Sequence, residues 1–237
     1  MGIAGEHSSK QFEADLENLR TRVLQMGGLV EAQILAAMEA YSNGARELVE
    51  RVVEGDRRVN GYEVAIDEAC KHIVVRRQPA AVDMRLIMAT AKIVTDLERM
   101  GDEAEKIARM AAAIHEHGGY HAQRFPAIRH AAQIAVGLLR RALDAFARLD
   151  AAAAAEVLKE DRAIDDEFRS VLRQLITYMM EDARTISPGL EIIWVAKAIE
   201  RIGDHAKNVA EQVIYIVKGT DVRHIAVSEV ERELLRE

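Results

Sequence analysis

DLERMGDEAEKIA occupies residues 96–108, and AIERIGDHAKNVA occupies residues 198–210. At an offset of 102, Glu98 matches Glu200, Arg99 matches Arg201, Gly101 matches Gly203, Asp102 matches Asp204 and Ala104 matches Ala206. A repeat at just under half the chain length marks a duplicated structural unit. Whatever Glu-x-x-Gly-Asp does, the chain carries it twice.

Outward from the first copy the apolar seam reads Ile93, Leu97, Met100, Ala104, Ile107, Ala111, Ile114. Outward from the second it reads Val195, Ile199, Ile202, Ala206, Val209, Val213, Ile216. Both step 4-3-4-3-4-3, the period of left-handed helix-bundle packing. The same reading predicts six helices over residues 9–41, 45–77, 80–116, 126–148, 150–183 and 187–218. Ser42-Asn43-Gly44 supplies a turn, Gln78-Pro79 breaks the second helix, and His117-Gly118-Gly119 ends the third. Pro126 suits a first turn, Asp150 an N-cap, and Ser187-Pro188 a cap followed by a first-turn proline. The fold class is therefore all-α, two tandem three-helix bundles over 9–117 and 121–218. A polar tail at 219–237 frays or forms a short helix. Pro79 lies 19 residues before Glu98 and Pro188 lies 12 before Glu200, so the sixth helix should be about two turns shorter at its start.

Composition agrees. Of 237 residues, 49% are hydrophobic but only 4% aromatic and three are proline, which disfavours an all-β chain. The 39 acidic residues outnumber the 32 basic ones, against a nucleic-acid partner. Arg57-Arg58, Arg76-Arg77 and Arg140-Arg141 are scattered and read as solvated faces or ion-pair partners. Cys70 is the only cysteine, so no intramolecular disulfide forms. No secretory leader or membrane span is legible, so a cytoplasmic protein, peripheral to a membrane at most, is expected. The sequence lacks G-x-x-x-x-G-K-[ST] and G-x-S-x-G, and no enzyme is expected.

Glu98 and Asp102 share one helix face, as do Glu200 and Asp204, with Cβ atoms about 6 Å apart. Like charges so placed repel by a few tenths of a kcal/mol, and Gly101 and Gly203 each cost about 1 kcal/mol against alanine. With Leu97 and Ile199 at seam position a, these acids fall at b and f, facing away from the core. That excludes the di-iron design whose Glu and Glu-x-x-His ligands project inward. An oxygen-rich outer site suits magnesium, calcium, manganese or iron, with further ligands from another helix or water. The competing reading is an ordinary charged face. Asp56 and Asp161 each fall on a helix seam. They either fix register or, with Asn60 and Asp165 one turn later, reach toward a metal. His115, His117 and His121 read as loop residues, His205 has no counterpart in the first half, and Trp194 reads as a packing or interface residue.

QPAAVDMRLIMATAKIVTDLERMGDEAEKIA and ISPGLEIIWVAKAIERIGDHAKNVAEQ resemble the two repeats of the PhoU family, and the likeness runs from about Phe12 to Lys218. The resemblance implies paired three-helix bundles in pseudo-two-fold symmetry. It implies a negative regulator of phosphate uptake and phosphate-starvation signalling, linking the ATPase of a phosphate ABC transporter to a sensor histidine kinase. It also implies a homodimer, and metal (iron, zinc, magnesium, manganese or calcium) at Glu98, Asp102, Glu200 and Asp204. Lys106 stands where the second motif has Asn208, which would weaken the first site and makes the second the better ligand set. The alternative is a helical bundle for metal storage or metalloenzyme activity. No phosphate-binding motif is visible, so direct phosphate sensing is not expected.

Overall fold

The computed structural model describes residues 3–77, 79–116, 125–160 and 162–234. Its helices are α1 (Ile3–Asn43), α2 (Arg46–Arg77), α3 (Ala81–Glu116), α4 (Pro126–Arg148), α5 (Ala151–Glu160), α6 (Arg162–Glu181), α7 (Ile186–Lys218) and α8 (Val227–Leu234). There is no strand among the described residues. α5 and α6 together cover the predicted fifth helix and adjoin at residue 161, which lies outside the described residues.

The seams carry the core. Every α3 seam residue named above is at most 1% exposed, and those of α7 are at most 4% exposed. Full burial of one such aliphatic side chain contributes about 1.5–3 kcal/mol. α1, α2 and α3 pack on one another, and α4, α5, α6 and α7 do the same in the second half. The halves join chiefly through α3 and α7, and less through α1 and α4. α3 and α7 run antiparallel, since Asp96 meets His205 and Asn208 while Glu103 meets Arg201.

Local chemistry sets the ends. Asp150 caps α5 through Oδ1, which accepts the Ala153 N–H at 2.9 Å. Leu149 before it takes the left-handed conformation at φ 51°, letting the Asp150 N–H reach Ala145 O at 2.9 Å. Gly219, at φ 77°, closes α7 on Tyr215 O as a glycine C-cap does. The expected cap at Ser187 is not made. α7 starts at Ile186, after a 3-10 turn (Ala183–Thr185) capped by Asp182, so Ser187 and Pro188 lie inside its first turn. α3 starts after its proline and α7 before its own. Their motif-to-start distances therefore differ by three residues, about one turn rather than two. In the tail, Val222 and Val230 are buried and α8 packs on α5.

Candidate functional site

Because Leu97, Met100 and Ala104 point inward, Glu98 and Asp102 lie on a flank of α3, and both are half-buried. Asp56 of α2 sits on its seam, 8% exposed, and its Oδ2 accepts from Asn60 Nδ2 at 3.0 Å. Gly101 makes this possible. A Cβ there would stand 3.3 Å from Asp56 Oδ1 and 3.4 Å from Gln33 Oε1. Gln33 of α1 donates through Nε2 to Val52 O at 3.2 Å. Gln33 Oε1, Asp56 Oδ1 and Asn60 Oδ1 are buried acceptors without a donor. Such groups in a native fold call for an ion, a water or a proton.

The electrostatics point the same way. Burial raises the pKa of Asp56, and Glu105 and Asp102 add to it. Burial raises Glu98, with Asp102, Glu63 and Asp56 adding. Asp102 is raised by burial against the pull of Lys106, and Glu63 by burial and by Asp67 and Asp102. Burial is the first cause for all four carboxylates and neighbouring acids add to it, the condition a divalent cation relieves. In chemical type the oxygens fit a hard cation. In position, no three His, Cys, Asp or Glu side chains among the described residues converge enough to enclose one as they stand.

The second motif is differently equipped. Lys197 Nζ donates to Glu200 Oε1 at 2.6 Å and lies 5.5 Å above the Phe168 ring. Asp204 is exposed and Asp165 half-buried, while Asp161 lies outside the described residues. A Cβ on Gly203 would collide with Ile164 Cδ1, an aliphatic neighbour where Gly101 has oxygens. Each motif has a lysine beside one of its carboxylates: Lys197 bonds Glu200, and Lys106 pulls on Asp102 while its Nζ donates to Glu103 Oε1 at 2.7 Å.

These pKa directions give a signed prediction. An acid whose folded pKa is raised makes the folded state bind more protons between its ordinary and raised values, so it subtracts stability as pH climbs through that window. Asp102→Asn, measured with chelator present, should stabilise the protein by about 0.5–1 kcal/mol at pH 7, a few tenths per relieved repulsion. The gain should shrink toward zero near pH 4. A gain that is flat with pH in urea titrations would contradict it.

Between the halves lie groups the sequence did not single out. Asp96 Oδ1 lies 2.8 Å from His205 Nδ1 and accepts from Asn208 Nδ2 at 3.0 Å. Glu103 is buried and pairs with Arg201 at 3.0 Å as well as with Lys106. Asp96, next to seam residue Leu97, faces the other half, so only knowledge of that packing would have found it. His205 follows Asp204 directly and was marked only by lacking a counterpart. His115 Nε2 lies 3.0 Å from Tyr41 O and acts in packing; His117 and His121 lie outside the described residues. Trp194 is 63% exposed, which removes the packing reading.

The outer stripe opposite the α3 seam is Met88, Lys92, Thr95, Arg99, Asp102, Lys106. On α7 it is Leu190, Trp194, Lys197, Arg201, Asp204, Asn208. Each is apolar at its start and polar beyond. Met88 and Leu190 are about half exposed. No helix among the described residues is long and apolar enough to cross a membrane.

Known proteins match this chain over most of its length. The family model described as PhoU domain matches residues 23–111 and 128–213. A Burkholderia sp protein named phosphate-specific transport system accessory protein PhoU homolog is 48% identical over 231 residues, 97% of this chain and 98% of its own length. The Escherichia coli K12 protein named phosphate-specific transport system accessory protein PhoU is 44% identical over 229 residues, 97% and 94% of the two chains. The crystal structure of PhoU from Pseudomonas aeruginosa superposes with a TM-score of 0.82 at 47% identity, covering 88% of this chain and all of that one. A Streptococcus pneumoniae structure titled phosphate transport system regulatory protein PhoU matches in fold, with a TM-score of 0.79 at 23% identity over 89% and 99% of the chains. Two matched domains, near-complete coverage and the duplicated Glu-x-x-Gly-Asp helices place this chain in the PhoU family.

Proposed function

We propose that this protein is a non-enzymatic negative regulator of phosphate uptake and phosphate-starvation signalling. It acts in the cytoplasm as a homodimeric adaptor between the ATPase subunit of a phosphate ABC transporter and the sensor histidine kinase of the phosphate two-component system. Family membership and the names of the relatives support the phosphate role. The observation that carries the adaptor reading is the outer stripe of α3 and α7. There Leu190 and Trp194 stand exposed one turn apart, followed by the charged motif residues. An exposed aromatic with an aliphatic neighbour and a charged rim is the composition of a protein-contact hot spot.

In the metal part of this reading, Glu98 and Asp102 with Asp56 and Asn60 hold a divalent or ferric ion, and Glu200 and Asp204 serve mainly in contact. The ion would supply charge neutralisation and rigidity to the α2–α3 flank. Elemental analysis of the untagged protein, beside a variant with Glu98, Asp102, Glu200 and Asp204 all changed to alanine, tests it. Stoichiometric metal lost in that variant supports the ligand set, and none in either protein removes it.

The contact reading is tested by titrating the purified ATPase subunit and the cytoplasmic part of the kinase. Trp194→Ala together with Leu190→Ala should weaken binding at least ten-fold. Reversal of charge at Glu200 and Asp204 should weaken it as well. If that reversal leaves partner binding intact, Glu200 and Asp204 have no part in the contact proposed here.

A further inference from the structure

The three arginine pairs have different fates. Arg57 bonds Glu54, Arg140 bonds Glu31 and Arg141 bonds Glu160, as in an ordinary charged surface, while Arg58 pairs with no acid among the described residues. Arg76 and Arg77 instead line a groove of about 450 Å³ between the start of α1 and the end of α2. Arg22 reaches the same groove from α1, and His72 from α2. Arg22 and Arg76 have no acidic partner among the described residues. Arg77 Nη2 pairs with Asp15 at 3.2 Å, but its Nε is buried with no acceptor. Among the described residues, Asp15 is the only acid lining the groove. Three guanidinium groups and an imidazole thus face one acid, in a chain of net charge −7. The partial negative charge at the end of α2 accounts for a basic residue in its last turn, but not for Arg22 on the neighbouring helix.

We propose that this groove binds a phosphate ester of nucleotide size. Three guanidiniums from two helices exceed what a single carboxylate can accept and suit a multiply charged phosphoryl group. The volume is that of a small-molecule site rather than of one free ion. Ala14, Ala69 and Ile73 give the groove an apolar floor, a surface for the uncharged part of the ligand. Asn18 and Gln11 add hydrogen-bonding groups at its wall. The site is made of helices of the first half alone and lies outside the Glu-x-x-Gly-Asp motifs. Its ligand is an effector candidate for the regulator, while its binding is read on the purified chain and does not rest on the adaptor reading.

The test is calorimetric titration of the full chain, without divalent metal and at low salt, with ATP, ADP, pyrophosphate and inorganic phosphate. The nucleotides should bind more tightly than inorganic phosphate, and more weakly as salt is raised. Arg22→Gln with Arg76→Gln should lower nucleotide affinity at least ten-fold, since each removes a charge-assisted hydrogen bond. Neither residue has an acidic partner among the described residues, so the melting temperature should hold. Arg46→Gln with Arg57→Gln makes the same change in net charge elsewhere on α2 and should leave affinity within two-fold. The proposal is overturned if no nucleotide binds at millimolar concentration, or if the control pair weakens binding as much as the groove pair. Binding only to phosphatidylglycerol vesicles would also overturn it, by assigning the groove to a lipid headgroup.

Discussion

Asp96→Ala is expected to destabilise the protein by about 3 kcal/mol, in the range for removing one member of a buried hydrogen-bonded pair. Asp96 and His205 side chains are 12% and 8% exposed, and one carboxylate oxygen serves both His205 and Asn208. Without it, two groups from α7, the buried His205 and the half-buried Asn208, lose their acceptor. Asp96→Asn keeps an acceptor for His205 and should cost about 1 kcal/mol, typical of one hydrogen bond. Glu103 is the contrasting case. Its partners Arg201 and Lys106 are about half exposed and can rehydrate when it is removed, so Glu103→Ala should cost less than Asp96→Ala. Urea denaturation of Asp96→Ala, His205→Ala and the double variant gives the coupling. A coupling below about 0.5 kcal/mol, the value for independent sites, would mean that the pair does not hold the halves together.

Met100→Ala should cost about 3 kcal/mol, within the 2–5 kcal/mol seen for truncating a large buried aliphatic side chain. Met100 and its repeat counterpart Ile202 are both 0% exposed, each in the middle of its own half. α3 is held on one side by α1 and α2 and on the other by α7, so the cavity has little freedom to collapse. Arg99→Ala next door, on the exposed stripe, should stay within about 0.5 kcal/mol. Equal effects at the two positions in thermal melts would mean that the seam at Met100 is not the packed core described above.

The seams were legible because period alone fixes them: a residue every 3.5 positions on a long helix has no other place to go. Caps were legible where the residue type has one use, as with Asp150, and misread at Ser187, where an extra turn ahead of the proline moved the start of α7. The site was legible by residue name but not by environment. Glu98 and Asp102 announced themselves through the repeat. Of what surrounds them, Asp56 stood out as an acid on a seam, but Gln33 and Glu63 depend on how three helices approach, and spacing along one helix carries no record of that. Besides Asp102, Lys106 has a partner that spacing along α3 does not single out: Glu103, which α7 holds in place through Arg201. The Asp96–His205 contact joins residues 109 apart in sequence.

Trp194 is the only tryptophan in the chain and stands largely in water on the outer stripe of α7. Its fluorescence is therefore already that of a solvated indole in the native state. Melting the helices should change its emission wavelength little, so unfolding has to be followed by circular dichroism instead. A macromolecule that covers α7 would transfer this one indole into a dry environment and shift its emission to the blue. The molecule thus carries a built-in optical reporter that is nearly silent to denaturation and responsive to docking.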